Sequence, residues 1–165
     1  MLRAPTQREL TALASLSDVG NFKALAQLVY DSVNHACANE TYRPYVVFGA
    51  RKAKTQLELY AHGREMTSSV PLPYGEWKQT GRVITRALPH QSAHCYAVAM
   101  DLALINDADG AWLHDEHPAW GTVIGQTYRR FGLESGHYWH FKDSAHGELP
   151  GWQGLVKQGT LQLIV

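Results

Sequence analysis

The stretch that decides the fold is SAHCYAVAMD, residues Ser92–Asp101, which places His94 and Asp101 in a small, apolar run. A carboxylate at the end of such a run is costly to bury alone, so Asp101 needs a charged or hydrogen-bonding partner. A strand that begins at Ala97 would put this residue, Ala99 and Asp101 on one face, because side chains alternate along a strand. The two small alanines would leave open space beside the carboxylate.

His94 comes just before this strand, where a bend of the chain could bring its ring over the same space. An imidazole nitrogen and a carboxylate oxygen that converge on a gap are suited to hold a metal ion, and zinc fits these ligands. The alternative is a buried structural Asp101 that the nearby histidine satisfies. The stretch alone leaves both interpretations open.

Composition narrows the class of protein. The chain has 165 residues, enough for one domain with a real core, and its 15 Lys and Arg balance its 15 Asp and Glu. No net charge therefore directs it to nucleic acid or to anionic lipid. Cys37 and Cys95, the only cysteines, form no CxxC pair, which argues against a disulfide framework and a thiolate zinc site.

The N-terminus lacks an apolar signal core, and no run approaches the length of a membrane span. We therefore expect one domain over residues 1–165, made soluble in a cytoplasm. We expect no stable membrane insertion, no nucleic-acid partner and a monomeric state.

Hydrophobic patterns predict several helices and short strands within one domain. Residues 1–40 should be helical, with a capping box from Thr6 to Glu9 and a second helix from Phe22 to about Ala36. A short buried strand over 45–48 should follow. Later elements are a helix over 51–60, a long loop over 65–82, renewed order at 83–85, the strand over 97–104 and a helix from Pro118 to about Arg130.

A second chemical cluster occupies residues 134–150, which are dense in ionisable and aromatic side chains. Asp143 and His146 are close enough along the chain for one to bind a metal and the other to hold its water. A third ligand from His146 would complete, with His94 and Asp101, the open three-ligand site of a catalytic zinc. Asp143 would then be the general base.

These two clusters resemble a known family. The run at residues 92–102 is similar to the SxHxxGxAxDL motif of zinc peptidases that cut peptidoglycan stem peptides. The pattern Asp143-x-x-His146-x-Glu148 resembles the second motif of their L-alanyl-D-glutamate endopeptidase branch, which is common among bacteriophage endolysins. The sequence VFGAR at residues 47–51, followed by a glutamine and LY, resembles a further family segment, SGyR…Q..LY.

The resemblance covers residues 45–152 and implies a Hedgehog/DD-peptidase-like fold, an α+β domain in which helices flank a small antiparallel sheet. It implies zinc on His94, Asp101 and His146, and a catalytic acid or base at Asp143. Arg51 matches the arginine that binds or polarises the substrate carbonyl. Weaker substrate-binding candidates are Ser92, Gln56, Glu148 and Trp139.

The chain departs from the family pattern in three places. Ala97 replaces the usual glycine, and Gly147 replaces the usual aromatic residue between the histidine and the glutamate of the second motif. The run Ser135-Gly136-His137 departs from a typical WGG. These departures affect the substrate detail more than the predicted zinc ligands, all of which are intact.

The function implied is a zinc peptidase that hydrolyses an amide bond in peptidoglycan stem peptides, most simply the L-alanyl-D-glutamate bond, as a phage-type endolysin that acts on the wall after release. One alternative is a D-alanyl-D-alanine carboxypeptidase, but the base in those relatives is a glutamate and Asp143 favours the endopeptidase branch. A second alternative is a non-catalytic cell-wall or virion binding module. An intact Asp143 argues against it, because a structural site has no use for a base.

Other residues compete for these roles. Two pairs of histidines, His114 with His117 and His137 with His140, have spacings that could bind a metal on a helix turn, but surface histidines explain them as well. Glu134 is a rival general base that is farther from a ligand than Asp143. Four tryptophans could be glycan platforms or packing residues, namely Trp112, Trp120, Trp139 and Trp152.

Overall fold

The computed structural model describes residues 3–67 and 77–165. Its α-helices are α1 (Gln7–Ala14), α2 (Phe22–Ala36), α3 (Ala53–Ala61), α4 (Gln126–Arg130) and α5 (Trp152–Lys157). Its strands are β1 (Tyr42–Phe48), β2 (Arg64–Met66), β3 (Trp77–Gln79), β4 (Ala99–Asn106), β5 (Glu134–Ser135) and β6 (His146–Glu148). Short 3-10 helices span Val19–Asn21, Pro89–Gln91, Ala93–Tyr96 and Gly136–Tyr138, and a π-helix spans Trp120–Gly125.

The main sheet has four antiparallel strands in the order β1-β4-β6-β5. Strand β4 lies inside the sheet, and Met100, Leu102 and Leu104 are fully buried. Its near-continuous apolar sequence fits a strand that is covered on both faces, because each face packs against other parts of the core. The predicted α+β class, with an antiparallel sheet flanked by helices, is confirmed.

The N-terminal helices form as predicted. The Thr6 side chain accepts a hydrogen bond from the main chain of Glu9, and the Glu9 carboxylate accepts one from the main chain of Thr6, which completes a capping box. Helix α2 has the predicted bounds, and its buried face consists of Phe22, Ala26, Val29, Tyr30 and Val33. These side chains recur at helical spacing and pack into the core.

The predicted strand over 97–104 begins two residues later than expected. His94 lies in the 3-10 helix Ala93–Tyr96, and Ala97 ends that helix in the left-handed conformation, with φ 58°. A residue at positive φ cannot continue a strand, so β4 starts at Ala99. The alternating face therefore contains Ala99 and Asp101 without Ala97.

The predicted loop over 65–82 is wrong at 65–66 and 77–79, where β2 and β3 pair as an antiparallel two-stranded sheet. Residues 67 and 80–82 are irregular as predicted, and residues 68–76 lie outside the described residues. The order predicted to resume at 83–85 is not found, because these residues form neither a helix nor a strand. The helix predicted from Pro118 begins as the π-helix and ends at Arg130 as expected, before Gly132 at φ 75°.

Across residues 3–67 and 77–165, no helix combines the length and the apolar character that a membrane crossing requires.

Candidate metal centre

Strand register places three side chains in a row across the sheet. Phe48 on β1 pairs with Asp101 on β4, and Asp101 pairs with His146 on β6. Paired residues on neighbouring strands lie about 5 Å apart and point to the same face. The row therefore brings together two residues that are 45 positions apart in the chain.

His94 approaches the same carboxylate from the 3-10 helix before β4. Its Nδ1 lies 2.8 Å from the main-chain oxygen of Gly49, and its Nε2 lies 3.1 Å from Oδ1 of Asp101. Because a carbonyl oxygen can only accept, Nδ1 must carry the proton that makes the first hydrogen bond. Nε2 is therefore the nitrogen of His94 that faces Asp101 and is available to a metal ion.

His146 is oriented by Glu148, which follows it by two residues on β6. The Nε2 of His146 lies 3.0 Å from Oε2 of Glu148, and the indole of Trp152 donates to Oε1 at 3.1 Å. Both carboxylate oxygens of Glu148 are thus engaged, and the imidazole proton on Nε2 is held by a carboxylate. The remaining nitrogen, Nδ1, lies 3.0 Å from Oδ1 of Asp101.

Three ligand atoms therefore converge on one point, and each offers a lone pair once Nδ1 of His146 has lost its proton: Nε2 of His94, Oδ1 of Asp101 and Nδ1 of His146. All three lie within 4.8 Å of one another. Ligand atoms about 2.0–2.2 Å from a tetrahedral zinc are roughly 3.3–3.5 Å apart, so this donor set fits a metal of that size. Two imidazoles and one carboxylate leave a fourth position open, and their outer atoms are fixed by hydrogen bonds as in other metal sites.

The shifts of the pKa values of His146 and Asp101 show that the cluster stabilises a positive charge. Burial alone would lower the pKa of His146, but its hydrogen bonds to Asp101 and Glu148 outweigh that effect and raise the pKa to about 10. Burial likewise acts to raise the pKa of Asp101, yet His94 and His146 hold it well below its ordinary value. A proton on His146 therefore fills the place that a bound cation would take.

Arg51 enters the site from the turn between β1 and α3. Its Nη1 donates to Oε1 of Gln56 at 2.6 Å, and its Nη2 lies 3.8 Å from Oδ2 of Asp101. The guanidinium carbon stands 4.7 Å from the centroid of the Phe48 ring, a cation–π distance. The Nε atom is buried and makes no hydrogen bond. The prediction that Arg51 points from this corner into a cleft agrees with this placement.

Asp143 is held next to the cluster by the turn that precedes β6. Its main-chain N–H donates to the oxygen of Gly136 at 3.0 Å, and its own oxygen accepts from the N–H of His146 at 3.0 Å. A Cβ on Gly136 would collide with the main-chain oxygen of Asp143, so this close approach requires glycine. Burial and the charge of Asp101 raise the pKa of Asp143, although nearby cationic groups limit the rise.

The weaker substrate-binding candidates lie at different depths. Trp139 is partly exposed, and its ring centroid is 5.2 Å from that of His146, so it borders the open side of the centre. Ser92 and Glu148 are buried. Gln56 is also buried, 1% exposed, and lies behind Arg51. Direct substrate contact by these four residues stays a prediction.

The structure bears on two of the departures from the motif described above: it explains Gly147 and shows a conformational cost at Ala97. Gly147 has no room for a Cβ because the Tyr128 ring lies against it, and the Tyr128 hydroxyl donates at 3.1 Å to the oxygens of Met100 and Ala145. An aromatic side chain at position 147 would displace this ring. The substitution of glycine by Ala97 leaves an alanine in the left-handed region, where glycine is favoured.

Sequence reasoning singled out three further residues without predicting how they shape the centre. The oxygen of Gly49, the ring of Phe48 and the indole of Trp152 each hold a site residue in place. The first two lie in the VFGAR segment, and Trp152 was named only as a glycan platform or a packing residue. In the described ranges, His94, Asp101 and His146 form the only group of three or more potential metal ligands. The pairs His114 with His117 and His137 with His140 belong to no such group.

Comparison with known proteins identifies the fold. No protein-family model matches the chain, and no curated protein sequence matches it. The crystal structure of ChiX, an L-Ala D-Glu endopeptidase of Serratia marcescens, is similar to this chain with a TM-score of 0.53 and 18% sequence identity. The similarity covers 87% of each chain, so the two proteins share their fold over most of their length.

Proposed function

We propose that this chain is a zinc-dependent endopeptidase that hydrolyses the amide bond between L-alanine and D-glutamate in peptidoglycan stem peptides. The observation that carries this proposal is the convergence of three lone pairs, from His94, Asp101 and His146, beside Asp143 and Arg51. The fold shared with an L-Ala D-Glu endopeptidase supports the choice of substrate. The role of a phage-type endolysin, acting on the cell wall, belongs to the same proposal and rests on the sequence resemblance.

In this proposal the three ligands hold the metal, Asp143 transfers protons and Arg51 stabilises negative charge on the substrate. A zinc ion on the three ligands supplies Lewis acidity for the activation of water and the polarisation of the substrate carbonyl. Asp143 accepts the proton of the attacking water and passes it to the leaving amine. Its raised pKa suits both tasks, since an acid–base catalyst works best with a pKa near the working pH. Arg51 donates to the carbonyl oxygen as negative charge develops there.

Asp143→Asn tests the division between base and ligands. The substitution preserves the shape of the side chain and removes its ability to accept a proton, so we expect cleavage to fall by about 10²–10⁴-fold. Zinc content should remain that of the wild type, because Asp143 is not among the three converging ligands. Mass spectrometry of fragments released from peptidoglycan gives both the rate and the bond that is cut.

Asp115→Asn is the matched control, since Asp115 is exposed and lies outside the site. It should cleave at the wild-type rate. If Asp143→Asn stays active while Glu134→Gln is inactive, Glu134 is the base. If Asp143→Asn loses zinc, Asp143 is a ligand. Fragments that have lost only a terminal D-alanine would replace the proposed endopeptidase with a carboxypeptidase.

A further inference from the structure

A chain of contacts connects two segments that flank the metal centre, one behind Arg51 and the other next to Asp143. On one side, buried Gln56 accepts from Arg51 at 2.6 Å and donates to the main-chain oxygen of Ala87 at 2.8 Å. On the other side, Phe141 belongs to the loop that carries the proposed base. Arg86 joins the two sides, because its guanidinium carbon is 3.9 Å from the centroid of the Phe141 ring. The pair of Arg86 and Phe141, which we call the rim, therefore joins the segment behind Arg51 to the segment that carries Asp143.

The two arginines at this cleft differ in what balances their charge. Arg51 faces Asp101 at 3.8 Å and also donates to Gln56. Arg86 is exposed and forms no ion pair within residues 3–67 and 77–165. Stacking on an aromatic ring fixes the plane of a guanidinium and leaves its N–H donors free at the edge. Arg86 is thus a pre-oriented cation with unused hydrogen-bond donors.

The segments that form the rim are also free of negative charge. Residues 77–100 contain no aspartate or glutamate, and neither do residues 135–142, which end at Lys142. Arg86 and Phe141 therefore have no acidic neighbour within these two stretches, and the nearest acids along the chain on their outer ends are Asp101 and Asp143. A cation without an acidic partner nearby in sequence is suited to attract an anionic ligand.

From this geometry we propose that Arg86, held flat against Phe141, binds a carboxylate of the substrate next to the bond that is cut. This inference rests on the proposed function. In a stem peptide whose D-glutamate continues through its side-chain carboxyl group, the other carboxylate of that residue is free and adjacent to the scissile nitrogen. Arg86 would make the enzyme selective for this free acid over the corresponding amide, because an amide offers no charge and one oxygen fewer.

The test uses two stem peptides that differ only in a carboxylate or a carboxamide at that carbon. We expect the wild-type holoenzyme to prefer the free acid by about ten- to hundred-fold in kcat/KM, the range for a hydrogen bond between charged groups. Arg86→Gln should abolish this preference, mainly through a higher KM for the acid. Arg86→Lys should keep part of it, because a lysine retains the charge and loses the planar fork.

Arg129→Gln is the matched control, since the Arg129 guanidinium carbon lies 3.5 Å from the Tyr138 ring in a similar stack beside α4. It removes the same charge and should leave the preference unchanged. A direct binding measurement, by calorimetry of the two peptides with zinc-loaded Asp143→Asn, should show the same selectivity and its loss on adding Arg86→Gln.

The outcomes separate this inference from the function on which it rests. If the wild type cleaves both peptides and Arg86→Gln leaves the ratio of their kcat/KM values unchanged, Arg86 does not bind the carboxylate. The proposed endopeptidase activity then still stands. An equal loss of preference in Arg129→Gln would point to general charge attraction and would also overturn the role of Arg86. If the wild type cleaves neither peptide, the proposed function falls, and the inference with it.

Discussion

The chain buries two clusters of charged side chains that are built in opposite ways. Around Glu9 every hydrogen-bonding partner comes from the chain: the carboxylate accepts from Arg3, from both the main chain and the hydroxyl of Thr6, and from the main-chain N–H of Val46. Around Asp101 the neighbouring nitrogens of His94 and His146 can act as donors only when an added proton occupies them. The first cluster is complete, whereas the second is completed by a proton and could hold a metal ion in its place.

This difference separates a structural cluster from a binding site. Glu9 is fully buried, and it occupies the free edge of β1 together with Arg3, which donates to the oxygen of Pro44 at 2.9 Å. Such an edge needs a cover to prevent pairing with other chains. The Asp101 side chain is instead 16% exposed, and the exposed ring of Trp139 packs against its neighbour His146. Buried charge by itself therefore does not mark function, but unmatched acceptors do.

The largest effect on stability is expected from the complete cluster. Glu9→Gln removes the negative charge that pairs with Arg3 and should lower the free energy of unfolding by about 3 kcal/mol, as for other broken buried pairs. The loss should be the same with and without zinc. Chemical denaturation followed by circular dichroism measures it, with exposed Glu58→Gln as a control that should change little. A loss confined to the zinc-loaded protein would contradict the comparison.

The same variant has a defined pH dependence. Burial acts to raise the pKa of Glu9, but hydrogen bonds from Arg3, Thr6 and Val46 prevail and lower it from its ordinary value of 4.5. The stabilisation is therefore complete above pH 4.5 and is lost as the pH falls through the lower pKa of the folded state. The gap between the wild type and Glu9→Gln should narrow in acid.

A smaller effect, on metal affinity, is expected when the hydrogen bond from His146 to Glu148 is weakened. Glu148→Gln keeps one oxygen for the two donors, His146 and Trp152, so the imidazole is held less firmly. Loss of such a supporting hydrogen bond typically weakens metal binding by about 10–100-fold. Competition with a chelator measures the affinity. Glu134→Gln, the cross-strand neighbour of Glu148, should leave it unchanged. Equal affinity in both variants would remove Glu148 from the metal site.

The smallest effect concerns the bend between two predicted ligands. Ala97 stands at φ 58°, a conformation that costs an alanine about 1 kcal/mol and a glycine much less. Ala97→Gly should therefore raise the melting temperature slightly and keep the zinc content. Ala99→Gly, in β4, should lower the melting temperature, because glycine weakens a strand. A lower melting temperature in Ala97→Gly would show that the bend is not strained.

The sequence predicted the metal centre better than the surroundings that support it. His94 and Asp101 belong to one short segment, and Asp143 and His146 belong to another, so short-range spacing alone makes them candidates. The structure brings both segments together, while the catalytic roles remain predictions. Trp152 acts through Glu148, a contact that arises only when α5 packs beside β6, and no local pattern indicates it.

The fold shows the same division between local and long-range information. Helix α2 has the predicted bounds because its buried face repeats at helical spacing. The capping box at Thr6 is also local, and it was predicted. The burial of Glu9 was not, because it depends on Val46, which is 37 positions away. The later start of β4 follows from the left-handed conformation of Ala97. Alanine prefers negative φ, so its presence in the sequence does not indicate this bend.

A zinc titration of the metal-free wild type by calorimetry tests the central claim most directly. The account predicts one zinc per chain and, near pH 8, the release of at least one proton, because Asp101 and Glu148 raise the pKa of His146 to about 10 and its ring must lose a proton to bind zinc. His146→Ala should bind zinc much more weakly, and Glu9→Gln should bind it like the wild type. A folded wild type that takes up no zinc, or a His146→Ala that binds it equally well, would contradict the account.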